Sequence, residues 1–196
     1  MIRLVRPTTR LQRSYLEASA EFGGAHRDGD GDLVEEADDG FPGVAFTRAN
    51  LETEEGFARF VARRLEQAEE DAPRPEGRVP CTFLWVVDDT DPDTYLGSLA
   101  VRHRLTPYLT EAGGHIGYSV RPSARNAGVA TAALREGLVE AGRIGIDPVL
   151  LTCDVDNATS AGVIERNGGV LEDVRGSSRR YWVPVPVPDT VPADAD

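Results

Sequence analysis

The spacing of apolar residues changes once near the middle of the chain, and this change defines its central unit. From 115 to 120 apolar and polar residues alternate, which is typical of a half-buried strand. Pro122 ends that strand, because proline has no N–H to donate to a neighbouring strand. Beyond Val129 the apolar residues recur at helical spacing, at Leu134, Leu138 and Ala141. The pattern predicts a strand, a short turn and a helix that ends near Gly145.

Two amphipathic helices are predicted in the first third of the chain. The first begins at a capping box formed by Thr9 and Gln12 and ends at Gly23-Gly24. The second is capped by either Asn50 or Thr53. Their buried stripes consist of apolar side chains at helical spacing, namely Leu11, Tyr15, Ala18 and Phe22 in the first and Phe57, Phe60, Val61 and Leu65 in the second.

Strand patterns occupy most of the remaining sequence. A short strand begins at Ile2, and strands at 82–87 and 95–105 are interpreted as a hairpin whose mostly apolar first strand is central in the sheet. The stretch 106–114 is predicted to be a loop. After the central unit, the pattern predicts a buried strand, a helix capped by Asp156 or Asn157 and a closing hairpin, at 149–155, 158–166, 170–174 and 179–184.

The turn from Arg125 to Thr131 is a candidate anion site. Its side chains are mostly short, and Gly128 has no Cβ. The first N–H groups of a helix have no partner inside it, and the helix dipole adds partial positive charge there. A pyrophosphate would therefore bind well. The alternative is a tight turn that needs a glycine and binds nothing. The turn lacks the Walker ending and the three glycines of a dinucleotide fingerprint.

Two motifs resemble those of a known family. Arg125-x-x-Gly128-x-Ala130 resembles the Q/R-x-x-G-x-G/A acyl-CoA signature of the GNAT N-acetyltransferase superfamily. Farther along, Asn157-x-x-Ser160 followed by Glu165-Arg166-Asn167-Gly168-Gly169 resembles the N-x-x-S/A and E-K-x-G-F block of the same family. Together the motifs and their strands cover roughly 113–174, and the N-terminal half resembles an uncharacterised bacterial subgroup more loosely.

This resemblance implies an α/β (α+β) fold with a mixed, centrally splayed sheet and helices on both faces. It also implies an N-acetyltransferase that moves an acetyl group from acetyl-CoA to a primary amine by direct attack on the thioester, without a metal. The pantetheine arm would contact the central strand, and the pyrophosphate would lie on the turn. The residues so assigned to acetyl-CoA are Ser119, Val120, Arg125, Asn126, Ala127, Gly128, Val129, Ala130, Thr131, Asn157 and Ser160.

Catalysis requires a neutral amine, so a base is expected near the thioester. We expect His115 to be that base, because its ordinary pKa is close to neutral, with Glu111 as the second candidate. Many family members carry a tyrosine that protonates the leaving thiolate, but Ile164 occupies that position here. Tyr118, Ser160 or a water are the remaining donors, and departure of the thiolate without a donor is the other alternative. A histidine that ends a strand and a tyrosine in the core are the structural alternatives.

The departure at Ile164 keeps a second function open, a non-catalytic acyl-CoA-binding module. Release of free CoA with an amine would separate the two. An acyltransferase that uses a longer acyl group is a third alternative. The acceptor is expected to be a small-molecule or peptide amine. The family fold places the segment 25–48 over the acceptor site, so the resemblance implies that 28–39 and 41–43 help to select the acceptor. The alternative is a solvated loop far from the chemistry.

Composition limits the partners. The 196 residues carry a formal net charge of −12, which repels nucleic acid and anionic membranes and favours a cationic acceptor. No apolar run is long enough to span a membrane, and Cys81 and Cys153 match no zinc or disulfide spacing. We expect a cytoplasmic protein with one domain at 1–184 and an acidic, proline-rich tail at 185–196. Edge strands and Trp182 in the closing hairpin suggest a homodimer.

The segment 28–39 also resembles the start of a calcium-binding loop. Asp28, Asp30 and Asp32 alternate as ligands of such a loop do, but Leu33 stands where the loop needs glycine. Asp39 stands where the loop needs glutamate. We therefore expect a loop without calcium.

Overall fold

The computed structural model describes residues 1–30 and 46–186. The strands are β1 (Ile2–Val5), β2 (Cys81–Asp88), β3 (Gly97–Arg102), β4 (Ile116–Val120), β5 (Val149–Asp154), β6 (Val170–Arg175) and β7 (Ser178–Val183). The helices are α1 (Gln12–Phe22), α2 (Arg48–Leu51), α3 (Glu54–Glu66), α4 (Pro107–Glu111), α5 (Val129–Arg143) and α6 (Ala158–Arg166). Short 3₁₀ turns lie at Thr9–Leu11 and Pro122–Ala124.

The strands form two antiparallel sheets that meet between β4 and β5. The first sheet has the order β1-β2-β3-β4, and the second has the order β5-β7-β6. β2 lies between β1 and β3 and is almost wholly buried, as its continuous apolar run predicts. The predicted mixed α/β architecture with a splayed centre is confirmed.

Each face of the first sheet is covered by a different core. On one face α5 and α6 bury aliphatic residues, among them Leu99, Leu134 and Ile164. On the other face α1 and α3 enclose a cluster of rings around Tyr15. The ring centroids of four aromatic residues lie 5.0–5.6 Å from that of Tyr15, namely Phe57, Phe60, Trp85 and Tyr95. The predicted helices on both faces of the sheet are confirmed.

The start of the first helix differs from the prediction. Thr8 caps the 3₁₀ turn that precedes α1, and the proposed capping box at Thr9 is absent. Gln12 instead donates its side-chain amide to the carbonyl oxygens of Leu51 and Thr53, at 2.9 and 3.1 Å. A long-range contact with the α2–α3 junction therefore takes the side chain that the local motif would have used. The predicted end of α1 at left-handed Gly23 is confirmed.

Two short helices lie where the pattern predicted none. Thr47 caps α2, and Thr53 then caps α3 by accepting a hydrogen bond from the N–H of Gly56. Thr106 caps α4, with Pro107 at its first position, inside the stretch predicted to be a loop. Both helices are too short to show an apolar period, so only their capping residues signal them.

The cysteines and the calcium motif can be compared with the structure. Cys81 and Cys153 are both buried free thiols, as predicted. Asp32, Leu33, Asp39 and the tail at 187–196 lie outside the described residues. Within the described residues, no three His, Cys, Asp or Glu side chains are placed to hold a metal ion. No helix in the same part of the chain is long and apolar enough to cross a membrane.

Candidate active site in the cleft between the two sheets

A cleft opens where β4 and β5 separate. At one end the N–H of His115 donates to the carbonyl oxygen of Leu150 at 2.7 Å, and the N–H of Leu150 donates to His115 Nδ1 at 2.9 Å. Within residues 1–30 and 46–186, no other backbone hydrogen bond joins the two strands. His115 immediately precedes β4, so the cleft widens toward the end of β4 that leads into the turn.

The bonds to β3 determine which backbone groups of β4 face this cleft. The N–H of Arg121 donates to the carbonyl oxygen of Leu96 at 2.8 Å, so Arg121 directs its N–H toward the β3 side. Successive residues of a strand direct their backbone groups to opposite edges. Tyr118 and Val120 therefore present their N–H and C=O groups to the cleft.

The backbone groups of Ser119 face away from the cleft. Its backbone groups face β3, where it is paired with Ser98, and the two hydroxyl oxygens are 3.2 Å apart. Val120 faces the cleft, but its carbonyl oxygen accepts a hydrogen bond from Arg125 Nε at 3.1 Å. Of the two residues that sequence reasoning assigned to the pantetheine arm, only Val120 directs its backbone toward the space between the strands.

The turn after β4 ends in an open helix N-terminus. Asn126 and Gly128 both have left-handed backbones, with φ of 63° and 77°. Gly128 is the N-cap of α5 and provides no side chain to accept from the first N–H groups. A Cβ added to Gly128 would find no atom within 4 Å, so open space lies beside the turn. The exposed residues of the turn are Arg125, Asn126, Ala127 and Gly128.

Helix α1 holds the first part of this turn. The carboxylate of Glu21 accepts from the N–H of Ser123 at 3.0 Å and from Arg121 Nε at 2.7 Å. Burial raises the pKa of Glu21, but the hydrogen bonds from Ser123 and Arg121 outweigh burial and leave it below its ordinary value. The guanidinium of Arg125 lies 5.7 Å from the ring centre of Phe22. Sequence reasoning missed Glu21, since nothing near it in the chain signals a partner at Ser123.

Helix α6 holds the second part. The side-chain amide of Asn167 donates to the carbonyl oxygens of Thr131 and Val163, at 3.2 and 2.9 Å. Arg166 Nε lies 3.4 Å from the hydroxyl of Thr131. The second motif of the sequence therefore contacts the first turn of α5, which connects the two motifs physically.

Two hydroxyl groups meet across the side of the cleft that α6 covers. Tyr118 Oη and Ser160 Oγ are 2.8 Å apart, and Ser160 is held by its N–H, which donates to Asn157 Oδ1 at 3.0 Å. Asn157 thus caps α6, as predicted from its position. Burial raises the pKa of Tyr118 to about 12. Tyr118 therefore keeps its proton at neutral pH and is able to donate it.

His115 is buried. Its backbone N–H and its ring nitrogen Nδ1 are both hydrogen-bonded to Leu150. Burial and the neighbouring guanidinium of Arg102 lower the pKa of His115 to about 4. Because Nδ1 accepts the Leu150 N–H, the neutral ring carries its proton on Nε2. Protonating the ring would break the bond to Leu150. The assignment of His115 as the base stays a prediction, and these contacts favour a structural role.

Glu111, the second candidate base, lies at the end of α4. Its carboxylate accepts a hydrogen bond from Arg175 Nη1 at 2.5 Å, and Arg175 is also paired with Asp173 at 2.8 Å. Glu111 is therefore tied to β6 by an ion pair. Catalysis by Glu111 also stays a prediction, and the ion pair engages its carboxylate with β6.

The described part of the segment 25–48 reaches β4 at Gly29. A Cβ added to Gly29 would lie 2.6 Å from the carbonyl oxygen of Gly117, so the two backbones touch and only glycine fits. Gly117 pairs with Ala100, which pairs with Phe83, and the ring of Phe83 lies under the guanidinium of Arg64 on α3. The segment therefore meets β4 on the face that α1 and α3 cover.

A family model described as an acetyltransferase (GNAT) domain matches residues 32–170, well over half of the chain. The chain belongs to the GNAT acetyltransferase family. The predicted family, N-acetyltransferase activity, enzyme class and co-substrate acetyl-CoA are thereby confirmed, and the acceptor is an amine. The comparison with curated protein sequences found no match.

Solved structures of three acetyltransferases share the fold. The microcin C7 self-immunity acetyltransferase MccE, in complex with acetyl-CoA and AMP, is 14% identical, with 94% of this chain and 92% of that chain covered and a TM-score of 0.56. A Salmonella typhimurium enzyme that modifies the N-terminal serine of ribosomal protein L7/L12 is 16% identical, with 95% of both chains covered and a TM-score of 0.56. Campylobacter jejuni PseH with acetyl coenzyme A is 13% identical, with 94% and 99% covered and a TM-score of 0.54.

Proposed function

We propose that the diphosphate of acetyl-CoA binds at the turn from Arg125 to Thr131 and that the pantetheine arm lies in the β4–β5 cleft. The observation that carries this assignment is the uncapped N-terminus of α5 at the open end of the cleft. Free N–H groups and the helix dipole stabilise an anion there. Gly128 leaves space for the phosphates, because no atom lies where its Cβ would be.

The pantetheine arm contains two amides, and the cleft offers complementary groups. An extended chain with amides can pair with an exposed strand edge as an additional strand does. Tyr118 and Val120 provide that edge on β4. The diphosphate site at the end of β4 then directs the thioester along the strand toward Tyr118.

In the proposed site, the acetyl group is transferred by direct attack of the acceptor amine on the thioester. The neutral amine nitrogen bonds to the thioester carbon, the carbon–sulfur bond breaks with its electron pair on sulfur, and the nitrogen loses one proton to solvent water. We propose that Tyr118 donates its proton to that sulfur and that Ser160 orients the Tyr118 hydroxyl. Tyr118 is protonated at neutral pH, but burial makes it a weaker acid than an ordinary tyrosine. Its position on the cleft strand and its contact with Ser160 Oγ at 2.8 Å are therefore what support this role.

The acceptor is proposed to be a cationic amine of a small molecule or a peptide. The net charge of −12 attracts such a molecule and disfavours nucleic acid. On the face where Gly29 meets Gly117, Asp28 is 65% exposed in its side chain and lies 3.4 Å from His26. A carboxylate on this segment suits the ammonium form in which an alkyl amine arrives at neutral pH.

We also propose an oligomeric state and a cellular location. The edge strand β6 exposes Val170 (68%) and Val174 (52%), which supports a homodimer through this strand. Trp182 is half-buried and so adds less to that surface than its sequence position suggested. The unpaired thiols of Cys81 and Cys153 suit a reducing cytoplasm.

One experiment tests the function and separates it from a non-catalytic binding module. Acetyl-CoA is titrated calorimetrically, and free CoA is then measured with a thiol reagent during incubation with small amines and short peptides. We expect saturable binding and CoA release that depends on the amine. Binding without release with any amine would support the binding module, and no binding would reject the assignment of the turn.

A further inference from the structure

We propose that His115 is a positioning residue that fixes the closed end of the acetyl-CoA cleft, and that it does not take the proton from the amine. This inference rests on the proposed function, because it assigns the cleft to acetyl-CoA. It replaces the catalytic role predicted from the sequence with a structural one that still affects the reaction.

The first argument is that a side chain substitutes for a backbone acceptor. The edge of β5 needs an acceptor for the N–H of Leu150, which is fully buried. His115 Nδ1 provides it at 2.9 Å, and the N–H of His115 bonds back to the carbonyl oxygen of Leu150 at 2.7 Å. A buried N–H without a partner destabilises the folded state. The ring is therefore needed to satisfy β5 at the point where the sheets separate.

The second argument is that the preceding loop holds His115 in place. Arg102 Nη1 donates to the carbonyl oxygens of Gly113 and Gly114, at 2.8 and 3.1 Å. The N–H of Gly113 donates to the hydroxyl of Thr152 on β5 at 2.8 Å. A Cβ added to Gly114 would lie only 2.4 Å from the carbonyl oxygen of Leu150, so glycine allows the loop to touch β5. These contacts join the two sheets at one place, which we call the clasp.

The third argument concerns the proton. The ring receives a hydrogen bond at Nδ1, so the neutral form carries hydrogen on Nε2 and has no free lone pair for the amine proton. The charged group that faces the ring is the guanidinium of Arg102 on β3, which opposes a second positive charge. Proton uptake by His115 would therefore both break the clasp and place two cations together.

The clasp has a consequence for the co-substrate. The spacing between the free edges of β4 and β5 is set where the strands are joined, because both strands are stiff beyond that point. Loss of the His115–Leu150 bonds would let the edges shift relative to each other. We expect this shift to weaken acetyl-CoA binding and to leave the protonation steps of the reaction unchanged.

The test compares three variants in steady-state kinetics across pH. His115→Asn keeps an acceptor close to the position of Nδ1 but cannot act as a base, and His115→Ala removes the acceptor. His103→Ala is the control, since His103 is another partly buried histidine, with Nε2 on Thr82 Oγ1 at 2.8 Å. We expect His115→Ala to raise the KM for acetyl-CoA at least about tenfold, which corresponds to one lost buried hydrogen bond.

We expect His115→Asn to restore most of that KM, with kcat and its pH profile close to those of the wild type. A loss of kcat of more than about a hundredfold in His115→Asn, with disappearance of one limb of the pH profile, would overturn the proposal, since that is the size of effect expected for a lost base. If the alanine variant does not fold, the asparagine variant alone decides between the two roles.

A measurement without activity distinguishes this failure from failure of the proposed function. Nitrogen-15 NMR of the wild-type imidazole should show hydrogen on Nε2 and a coupling from the Leu150 amide into Nδ1. The opposite tautomer would overturn the clasp even in an enzyme that binds acetyl-CoA. If the tautomer is as expected but the wild type binds no acetyl-CoA, the assignment of the cleft fails and with it the positioning role.

Discussion

The two ends of the β4–β5 cleft differ in how their polar groups are satisfied. At the closed end, each backbone N–H has a hydrogen-bond acceptor at Gly113, Gly114, His115 and Leu150. At the open end, α5 begins at a glycine without a capping side chain, and within residues 1–30 and 46–186 no strand pairs with the edge of β4 that faces the cleft. Saturated groups hold a structure in place, and unsatisfied exposed groups are available to a ligand.

This difference assigns opposite expectations to the two regions. Changes at the open end should affect acetyl-CoA affinity and turnover with little loss of stability. Changes at the closed end should affect stability, its dependence on pH and the fit of the co-substrate. The residues between them, Tyr118 and Ser160, should affect turnover most directly.

The largest effect is expected from Gly128→Glu. A carboxylate in the open space beside the turn would repel the diphosphate at a cost of several kcal/mol, which raises the Kd for acetyl-CoA about a thousandfold. Gly145→Glu is the matched control, because Gly145 lies at the other end of α5 with the same left-handed backbone and the same open surroundings. Both variants should lose similar stability, and calorimetry should show lost binding in Gly128→Glu alone. Equal affinities would refute the diphosphate site.

A smaller effect is expected at the hydroxyl pair. Tyr118→Phe removes the proposed donor and should lower kcat about a hundredfold, with the KM for acetyl-CoA within a few-fold of the wild type. Ser160→Ala removes only the group that orients Tyr118 and should lower kcat about tenfold, the effect of one hydrogen bond. Stopped-flow detection of CoA release measures both. An unchanged kcat in Tyr118→Phe would show that Tyr118 is not the donor. The thiolate would then take its proton from water or leave without being protonated.

The closed end should lose stability in acid. The folded pKa of His115, about 4, lies below its ordinary value of 6.5, so the unfolded chain binds the proton more tightly. This contribution is complete above pH 6.5 and is lost as the pH falls toward 4; it amounts to about 3 kcal/mol in total and about 2 kcal/mol by pH 5. Urea unfolding at pH 7 and pH 5 measures it.

His115→Asn is the control for this pH effect, because asparagine does not titrate. The wild type should lose about 2 kcal/mol more than the variant between pH 7 and pH 5. The remaining titratable groups are the same in both proteins. The difference between the two losses in unfolding free energy therefore reports on the imidazole of His115 alone. Identical losses would mean that Leu150 does not hold His115 in its neutral form.

The smallest effect is expected at the tether between α1 and the turn. Glu21→Gln weakens the bonds to Ser123 and Arg121 and should raise the KM for acetyl-CoA about fivefold, the effect of about 1 kcal/mol, without changing kcat. Glu140→Gln, which removes a surface pair with Arg143 at the far end of α5, is the control. A lowered kcat in Glu21→Gln would indicate that the tether acts on the chemical step instead.

Much of the fold follows from period and capping, because these signals are local. The strand–turn–helix unit, the buried faces of α1, α3 and α5, and the Asn157 cap were all correctly predicted. Gln12 shows where such reasoning fails: its residue type fits a capping box, but Leu51 and Thr53 lie close enough to take the amide. Competing partners distant in sequence are invisible to a local motif.

The site was predicted unevenly for the same reason. The turn could be proposed as an anion site from the sequence, because its short side chains and its glycine are consecutive residues. The role of His115 depends on Leu150, and that of Glu21 depends on Ser123, each across a long stretch of chain. Residue type alone suggested chemistry for His115, whereas its contacts indicate a bond between two sheets.

The two tryptophans of the chain lie one in each sheet. Trp85 on β2 is stacked in the aromatic cluster and fully buried, whereas Trp182 on β7 is half-buried in the second sheet. Each sheet thus contains its own intrinsic fluorophore. Replacing either tryptophan by phenylalanine leaves fluorescence emission from one sheet only. The order in which the two sheets unfold can therefore be followed by fluorescence.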